Sequence, residues 1–315
     1  MVEKVKWIWD DGECRPWDES TVHTLTHTLH YGLGVFEGIR CYEQTSGGAA
    51  VFRLREHIER FFESAKIVLI DIPFSREEII QACLDLVARN DLEAGCYLRP
   101  LAFLGSGQMG LAADNPVRVT IASWAWGAYL GEDGIKNGIP VKVSSFRRPR
   151  NDTSLPKGKI SGQYVQSILA KRDALADGYA EAIMLDTDGR VCEGSGENIF
   201  VVKNGRVSTP PLGQALLAGI TRDTVIQLLE DRGLTVHEES IARDQLYTAD
   251  EVFFTGTAAE VTPVREIDRR PVGTGRPGEL TQWVQAEYAA LVRGEREKYA
   301  HFCEQVQPAS AKAAS

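Results

Sequence analysis

Three absences from the sequence exclude several classes of protein. No apolar run is long enough to cross a bilayer, and no block of consecutive Lys or Arg could follow a phosphate backbone. The six cysteines are scattered without Cys-x-x-Cys spacing, which is typical of buried thiols rather than of a disulfide framework or a zinc site. We therefore expect a cytoplasmic protein that binds no membrane, no nucleic acid and no metal.

The composition is that of an ordinary soluble protein, and the length favours two domains. The chain has 315 residues, of which 43% are apolar and 25% charged, with a formal net charge of -9. A chain of this size exceeds what one hydrophobic core usually organises. We predict a substrate-side domain of residues 1–127, a linker of residues 128–138 rich in glycine and charge, a cofactor-binding domain of residues 139–300, and a C-terminal tail of residues 301–315 that is frayed from residue 307.

Local signals predict an α+β fold. Ser75 followed by Glu78 is typical of a capping box at the start of a helix, and an apolar stripe follows it. In the second half, Asp188-Gly189 and Asn204-Gly205 each separate two strand-like segments and predict antiparallel hairpins. We therefore predict a small N-terminal α/β domain and a larger C-terminal domain rich in antiparallel strands.

Four segments of the second half carry residues that could act chemically. Lys157 and Lys159 lie in a loop before a predicted helix, and either could become a nucleophile if its surroundings lowered its pKa. The others are small-residue turns: residues 193–198 with two carboxylates, residues 217–223 at a helix start, and residues 255–260 after an apolar strand. Taken singly, the first is as well interpreted as a solvated basic loop, and the others as ordinary turns or caps. Together they offer an amine, a carboxylate and two turns that can bind anions.

That combination meets the needs of pyridoxal phosphate. The motifs KISGQY (159–164), EGSGENIF (193–200), GITRD (219–223) and GTAAEVTPV (256–264) resemble those of the class IV, fold-type IV aminotransferases. Three more segments, HYGLGVFEGIRCY (30–42), YLRP (97–100) and WGAYL (126–130), are similar to the branched-chain amino acid aminotransferases within that class. The resemblance runs from about Trp7 to Gly294.

The resemblance implies roles for several residues toward pyridoxal 5'-phosphate. Lys159, rather than Lys157, would form the Schiff base and move the proton between the substrate α-carbon and the cofactor. Glu193 would keep the ring nitrogen protonated, and Tyr164 would bond the phenolic oxygen. The remaining cofactor-binding residues, chiefly around the phosphate, would be Arg60, Leu217, Ile220, Thr221 and Thr257.

The resemblance also implies a substrate site. The Thr257-Ala258 turn and Tyr97 would meet the substrate carboxylate, and Arg99 would receive the distal carboxylate of glutamate. An apolar side-chain pocket would be lined by Tyr31, Phe36, Gly38, Trp126 and Tyr129. The implied reaction transfers an amino group between leucine, isoleucine or valine and 2-oxoglutarate by a ping-pong route. The implied assembly is a homodimer or larger, in which Tyr31 and Met109-Gly110-Leu111 reach the partner's pocket.

Other interpretations remain open. A D-amino acid aminotransferase, an (R)-selective amine transaminase and an aminodeoxychorismate lyase would share the cofactor residues. A noncatalytic binding protein of this fold would lack Lys159 or Glu193, and both are present. The helical spacing of His23, His27 and His30 could suggest a metal site, but neighbouring threonines disfavour a helix, so we expect core or interface histidines.

The sequence departs from the family pattern just before the lysine. Residues 147–158 are more basic than usual, and Ile160-Ser161 replaces smaller residues. We expect the additional cations to lie on the outer surface. The sequence does not predict a preference among the three branched-chain substrates.

Overall fold

The computed structural model of the chain describes residues 2–127 and 131–307, which form two compact units. Of these residues, the first unit holds 2–126, 158–162 and 290–307, and the second holds 127, 131–157 and 163–289. The predicted second domain, residues 139–300, therefore includes two segments that the structure assigns to the first unit. These two segments join the first unit through contacts with residues far away in sequence, which local sequence patterns do not reveal.

The first unit is built on an eight-stranded antiparallel sheet. In sheet order its strands are β18 (Cys303–Gln305), β5 (Ala49–Phe52), β4 (Ile39–Glu43), β6 (Cys96–Leu104), β7 (Val117–Ala125), β1 (Trp7–Asp10) and β2 (Glu13–Pro16), with β3 (Gly34–Phe36) also paired to β6. Its helices are α1 (His27–Tyr31), α2 (Leu54–Ile67) and α3 (Arg76–Arg89). The capping box at the start of α3 is confirmed, because Ser75 Oγ accepts from Glu78 N and Glu78 Oε2 accepts from Ser75 N.

Helix α2 buries one face that is partly polar. Leu54, Ile58 and Phe61 are fully buried in the core of this unit. His57, Arg60 and Ser64 lie on the same side, at spacings of three and four residues, and are buried as well. An interior helix face with three polar side chains needs internal partners for them. These partners belong to the candidate site described below.

The second unit is built on a ten-stranded mixed sheet. In sheet order its strands are β13 (Val236–Glu238), β12 (Arg206–Thr209), β11 (Asn198–Lys203), β15 (Glu251–Gly256), β16 (Glu260–Ile267), β8 (Ile139–Arg147), β9 (Glu181–Leu185), β10 (Arg190–Gly194) and β14 (Ile241–Ala242), with β17 (Arg270–Pro271) paired to β16. Three neighbouring pairs are parallel: β13 with β12, β16 with β8, and β8 with β9. The other pairs are antiparallel, as predicted for this half.

Both predicted hairpins are present. Strands β9 and β10 pair through the turn at Asp188-Gly189, and β11 and β12 pair through Asn204-Gly205. Asn204 and Gly205 have φ of 49° and 76°, the left-handed values that a two-residue hairpin turn demands. The remaining helices of the chain are α4 (Glu132–Asn137), α5 (Tyr164–Ala176), α6 (Ile220–Asp231), α7 (Arg243–Tyr247) and α8 (Glu279–Val292).

Two segments outside the predicted domains form regular elements. Residues 132–137 of the predicted linker form helix α4, and residues 303–305 of the predicted tail form strand β18. Strand β18 forms by pairing with β5, which lies far from it in sequence. Just after β18, Val306 donates its amide to Ala49 O at 2.8 Å. Throughout residues 2–127 and 131–307, each helix is too short or too polar to span a membrane.

Candidate active site

Lys159 is fixed by its backbone within the first unit. Its amide donates to Ser64 Oγ on α2 at 3.0 Å, and its carbonyl accepts from Phe36 N on β3 at 3.1 Å. The Lys159 Nζ lies 5.1 Å from the centre of the Phe36 ring. Three residues further along, Gly162 packs closely on Gly32, and its amide donates to Gly32 O at 3.0 Å. Gly32 has φ of 74°, and a Cβ there would lie 3.0 Å from the Gly162 Cα, so a glycine is required.

A buried ionic network lies on the polar face of α2. Glu37 is fully buried, and its carboxylate accepts from His57 Nδ1 at 2.7 Å and from Arg60 Nε and Nη2 at 2.7 and 2.9 Å. Burial alone would raise the pKa of Glu37, but the charges and hydrogen bonds of Arg60 and His57 outweigh it and lower the pKa. Burial lowers the pKa of His57, although Glu37 opposes that shift. The sequence assigned Arg60 to the cofactor phosphate and gave no role to Glu37 or His57.

Aromatic side chains surround Arg99 on one face of the first sheet. The Arg99 guanidinium lies 4.8 Å from the centre of the Phe36 ring, 5.2 Å from that of Tyr97 and 5.8 Å from that of Trp124. Arg99 Nη2 donates to Tyr97 Oη at 3.4 Å, while Arg99 Nε is buried and has no hydrogen-bond partner. The ring of Trp126 lies 4.9 Å from that of Tyr97, centre to centre. The structure thus places the predicted pocket residue Phe36 against Arg99 and the predicted pocket residue Trp126 against Tyr97, and adds Trp124.

Gly38 is required by the position of Tyr97. A Cβ at Gly38 would lie 1.7 Å from the Tyr97 Oη, so any side chain there would displace the phenol. Arg40, which sequence reasoning overlooked, is the cross-strand partner of Tyr97 in the β4 and β6 pairing. Alternation along the strands puts Arg40, Tyr97 and Arg99 on one face of the sheet, and this alternation was visible in the sequence.

The residues predicted to reach a partner subunit lie at the surface of the first unit. Tyr31, at the end of α1, is 44% exposed, and its ring packs 4.6 Å from that of His27. Met109 and Leu111 are 43% and 91% exposed. Tyr129, predicted as a pocket residue, lies outside the described residues.

The three histidines considered as metal ligands bond to backbone groups. Helix α1 begins at His27, so His23 is not on the same helix, as the threonine-rich flank suggested. His27 Nε2 lies 2.9 Å from Gly110 O, His30 Nε2 lies 2.8 Å from Thr24 O, and His23 Nδ1 accepts from Leu25 N. Searched over the described residues, the chain has no cluster of three metal-ligating side chains.

Lys157 belongs to the second unit and has different surroundings from Lys159. Its Nζ donates to Leu216 O at 2.9 Å and to Gln214 O at 3.2 Å. Burial lowers the pKa of Lys157, although the charge of Glu193 opposes the shift. The amine therefore anchors the loop before α6, a role that the sequence could not distinguish from nucleophilic chemistry.

Glu193 lies at the end of β10 and is almost completely buried. Its carboxylate forms an ion pair with Arg148 and accepts from Asn198 Nδ2 and Leu217 N, each at 3.2 Å. Arg148 also donates to Ser167 Oγ at 3.1 Å. The expectation that the cations of the basic run lie on the outer surface is wrong for Arg148, because a buried carboxylate draws it inward. It holds for Arg150, whose side chain is 62% exposed.

The predicted phosphate-binding turns are compact and glycine-dependent. Gly219 is the N-cap of α6 and has no side chain to cap the first turn, in which Ile220 and Thr221 are buried. A Cβ at Gly219 would lie 1.9 Å from Asn198 Oδ1, so this turn and residues 193–198 are in close contact. Residues 257–259 form the turn after β15, and the preceding Thr255 Oγ1 is buried without a hydrogen-bond partner.

Comparison with known proteins identifies the family. Residues 34–267 match the family described as amino-transferase class IV. The chain belongs to that family. Among curated relatives of this class IV aminotransferase, the branched-chain-amino-acid aminotransferase of Pseudomonas aeruginosa is 48% identical over 303 residues, covering 96% of this chain and 98% of the relative. The Escherichia coli K12 enzyme of the same name is 44% identical, covering 94% of this chain and 96% of the relative.

Solved structures agree with this assignment. The branched-chain amino acid aminotransferase of Escherichia coli superimposes on this class IV aminotransferase with a TM-score of 0.94 at 43% identity, covering 96% of this chain and all of that one. The enzyme of the same name from Thermobaculum terrenum, solved in its PLP form, gives a TM-score of 0.90 at 34% identity, covering 97% and 99%. The predicted family, fold class and cofactor are confirmed, and this class IV aminotransferase depends on pyridoxal phosphate.

The residues present fit that cofactor. The second unit provides a buried carboxylate with cationic and amide partners, and a helix N-terminus whose N-cap is glycine. Backbone amides at such a terminus bind phosphate well, because the helix dipole favours negative charge there. The first unit provides Lys159 on a backbone tied to α2 and β3. Each unit therefore carries groups of the kinds that pyridoxal phosphate needs.

Proposed function

We propose that this class IV aminotransferase transfers an amino group between a branched-chain L-amino acid and 2-oxoglutarate by a ping-pong route. The arrangement around Arg99 supports this most directly. One guanidinium with a buried, unpartnered Nε stands among Phe36, Tyr97 and Trp124. Such a surface can accept an apolar side chain on the rings and a distal carboxylate on the cation, which the two amino donors require in turn. The names of its near-full-length relatives support the same substrates.

Seven residues would hold the cofactor, as their positions and types suggest: Lys159, Tyr164, Glu193, Arg60, Ile220, Thr221 and Thr257. The bound cofactor supplies an electron-withdrawing ring that takes up the amino group and stabilises negative charge at the substrate α-carbon. Leu217 contributes through its backbone, since its amide already donates to the Glu193 carboxylate. Arg60 would act on the phosphate while its Nε and Nη2 remain on Glu37.

The protein's own groups then orient the substrate and move one proton. The Lys159 amine would remove the proton from the substrate α-carbon and deliver it to C4′ of the cofactor, the carbon that keeps the amino group. Glu193, held by Arg148 and Asn198, keeps negative charge in a fixed position, so no solvent has to reorganise there during the reaction. Tyr97 and the Thr257-Ala258 turn would bind the substrate carboxylate.

We further propose that the protein works in the cytoplasm as a homodimer or larger assembly. Tyr31, Met109 and Leu111 are exposed apolar or aromatic residues of the first unit, and they would contribute to the partner's substrate pocket. Tyr129 would also contribute to the apolar pocket. Light scattering of the purified protein tests the assembly, and a fully active monomer would exclude the shared pocket.

Spectra of the two half-reactions test the activity. Purified holoenzyme mixed with L-leucine, L-isoleucine or L-valine should convert its cofactor to the amine form, and 2-oxoglutarate should reverse the change. L-Glutamate should act as an amino donor in the same assay.

D-Alanine and (R)-1-phenylethylamine are the matched controls, because they test the related class IV activities on the same preparation. Faster conversion by either control than by L-leucine would overturn the proposed substrate class. Pyruvate release from aminodeoxychorismate would overturn the reaction type.

A further inference from the structure

The second unit buries three carboxyl groups close together. Glu181, Glu193 and Glu197 are 0%, 4% and 4% exposed. Lys171 Nζ pairs with Glu181 at 2.5 Å, and Arg148 pairs with Glu193. The structure gives no ion pair to Glu197 from any residue that it describes. These ion pairs hold Glu181 and Glu193 but not Glu197, and a buried carboxylate without a cation in contact is costly.

Glu197 lies inside the turn that carries Glu193. Its Oε2 accepts from Gly196 N at 3.0 Å, and its carbonyl accepts from Gly194 N at 2.6 Å. A Cβ at Gly194 would come within 2.7 Å of the Glu197 Oε2, so the turn closes directly around the carboxyl group. A Cβ at Gly256 would lie 3.4 Å from the Glu197 Cγ, so the same side chain also touches the end of β15.

The groups facing Glu197 favour its neutral form. Strand β9 contributes Glu181 and β10 contributes Glu193, both acidic, while α5 contributes Lys171. Strand β15 contributes Gly256, which carries no charge. Lys171 is already bound to Glu181 and to the Ala180 carbonyl at 2.7 Å. Burial, with the added repulsion of Glu181, raises the pKa of Glu197 to about 8, and Lys171 only partly opposes it.

We propose that Glu197 is a positioning residue that keeps its proton at neutral pH and so holds the 193–198 turn, and with it Glu193, in place for the cofactor ring. The inference rests on the proposed role of Glu193. A neutral acid fills the turn without competing for Arg148, which stays on Glu193. Ionisation of Glu197 would add a third negative charge to the group and loosen the turn.

The sign of the pH dependence follows from the proton. Because folding raises the pKa of this acid from its usual value of about 4.3, the folded protein binds a proton that the unfolded chain has lost. Stability contributed by Glu197 therefore falls as the pH rises from about 5 to about 8 and changes little above that. Glu197→Gln keeps the size of the side chain and removes the proton, so this fall should vanish.

Melting of the apoenzyme at pH 5 to 9 makes the first test. The Tm of the wild type should fall steadily relative to that of Glu197→Gln between pH 5 and pH 8, and the contributions of other titrating groups cancel in this comparison. Cofactor binding makes the second: pyridoxal phosphate should bind both proteins equally at pH 7. At pH 9, one unit above the pKa, it should bind wild type about tenfold more weakly than the variant.

Glu181→Gln is the matched control and protects the test if the first variant does not fold. It removes the carboxylate partner of Lys171 and leaves that cation to Glu197, which lowers the pKa of Glu197. The pH-dependent loss of stability should therefore end at a lower pH than in the wild type. Three results would overturn the proposal: a Tm difference that is independent of pH, a loss of stability in Glu181→Gln over the same pH range as in the wild type, or loss of cofactor from Glu197→Gln at pH 7. Failure of leucine transamination in the wild type would instead overturn the proposed function, and would leave the apoenzyme melting result intact.

Discussion

The buried carboxyl groups of the two units have opposite surroundings. In the first unit, Glu37 alone faces both Arg60 and His57. In the second, Lys171 pairs with Glu181 and Arg148 pairs with Glu193, while Glu197 forms an ion pair with neither cation. Glu37 and Glu197 are buried to nearly the same extent, yet the pKa of Glu37 is lowered and that of Glu197 is raised to about 8. The number of partner cations, and not the depth of burial, decides which acid carries its proton.

The largest effect is expected at Lys159 of the first unit, compared with Lys157 of the second. Lys159→Ala should abolish transamination, a loss of at least about 10⁴-fold, because no other amine would move the α-proton. Lys157→Ala should keep most of the activity, because that amine holds the carbonyls of Gln214 and Leu216. Borohydride reduction of the holoenzyme and peptide mapping check the assignment. A cofactor label on Lys157 would exclude it.

The next largest effect concerns Glu37, the acid with two basic partners. Glu37→Gln should destabilise the protein by about 3 to 5 kcal/mol, because Arg60 and His57 would stay buried without their carboxylate. Urea unfolding at pH 7 measures the loss. Since folding lowers the pKa of Glu37, its stabilisation is present above about pH 4.3 and is lost as the pH falls further. The wild type and the variant should therefore converge in acid. A constant difference would contradict an ionised Glu37.

Glu193→Gln tests the acid of the second unit that is paired with Arg148. The variant should bind the cofactor and yet slow the half-reaction with leucine by about 100-fold, since a neutral amide stabilises the charge developed in the reaction less well. Stopped-flow spectra measure both properties. Glu239→Gln serves as the control, because Glu239 pairs with Arg206 and its side chain is 40% exposed. Equal rates in the two variants would mean that another acid serves the ring.

The smallest effect should be selective for one substrate. Arg99→Ala should reduce glutamate turnover by about ten- to a hundredfold, because a charged hydrogen bond is worth about 1.5 to 3 kcal/mol. Leucine turnover should fall much less, since its side chain has no charge to pair. Separate half-reactions and a melting curve distinguish the two possible roles. Equal losses for both substrates with a lower Tm would assign Arg99 to the stability of the sheet instead.

Local interactions were predictable from the sequence. The capping box at Ser75 and the Asn204-Gly205 hairpin depend on residues two to five positions apart, so their geometry is set by nearby chemistry alone. The family motifs added the cofactor and Lys159. Long-range pairing was not predictable: the parallel neighbours of β8 and the pairing of β18 with β5 join segments that the sequence keeps far apart.

The ionic partners were the least predictable part of the candidate site. His57, Arg60 and Ser64 share one face of α2, and three polar residues on an otherwise apolar face were a usable signal. Their partner Glu37 was not identifiable, because nothing local links it to that helix. Arg148 was misplaced for the same reason: a basic run looks solvated until the buried carboxylate that it meets is known.

The pairing of β18 with β5 also has a consequence for solubility. Strand β5 consists of Ala49–Phe52, all four buried, and β18 covers its outer edge. Removing residues 303–315 would expose an apolar strand with unsatisfied backbone groups, which is a template for pairing with other chains. Such a truncation leaves Lys159, Glu193 and Arg99 untouched. We expect it to yield aggregates through this edge, so the last strand protects the protein from self-association.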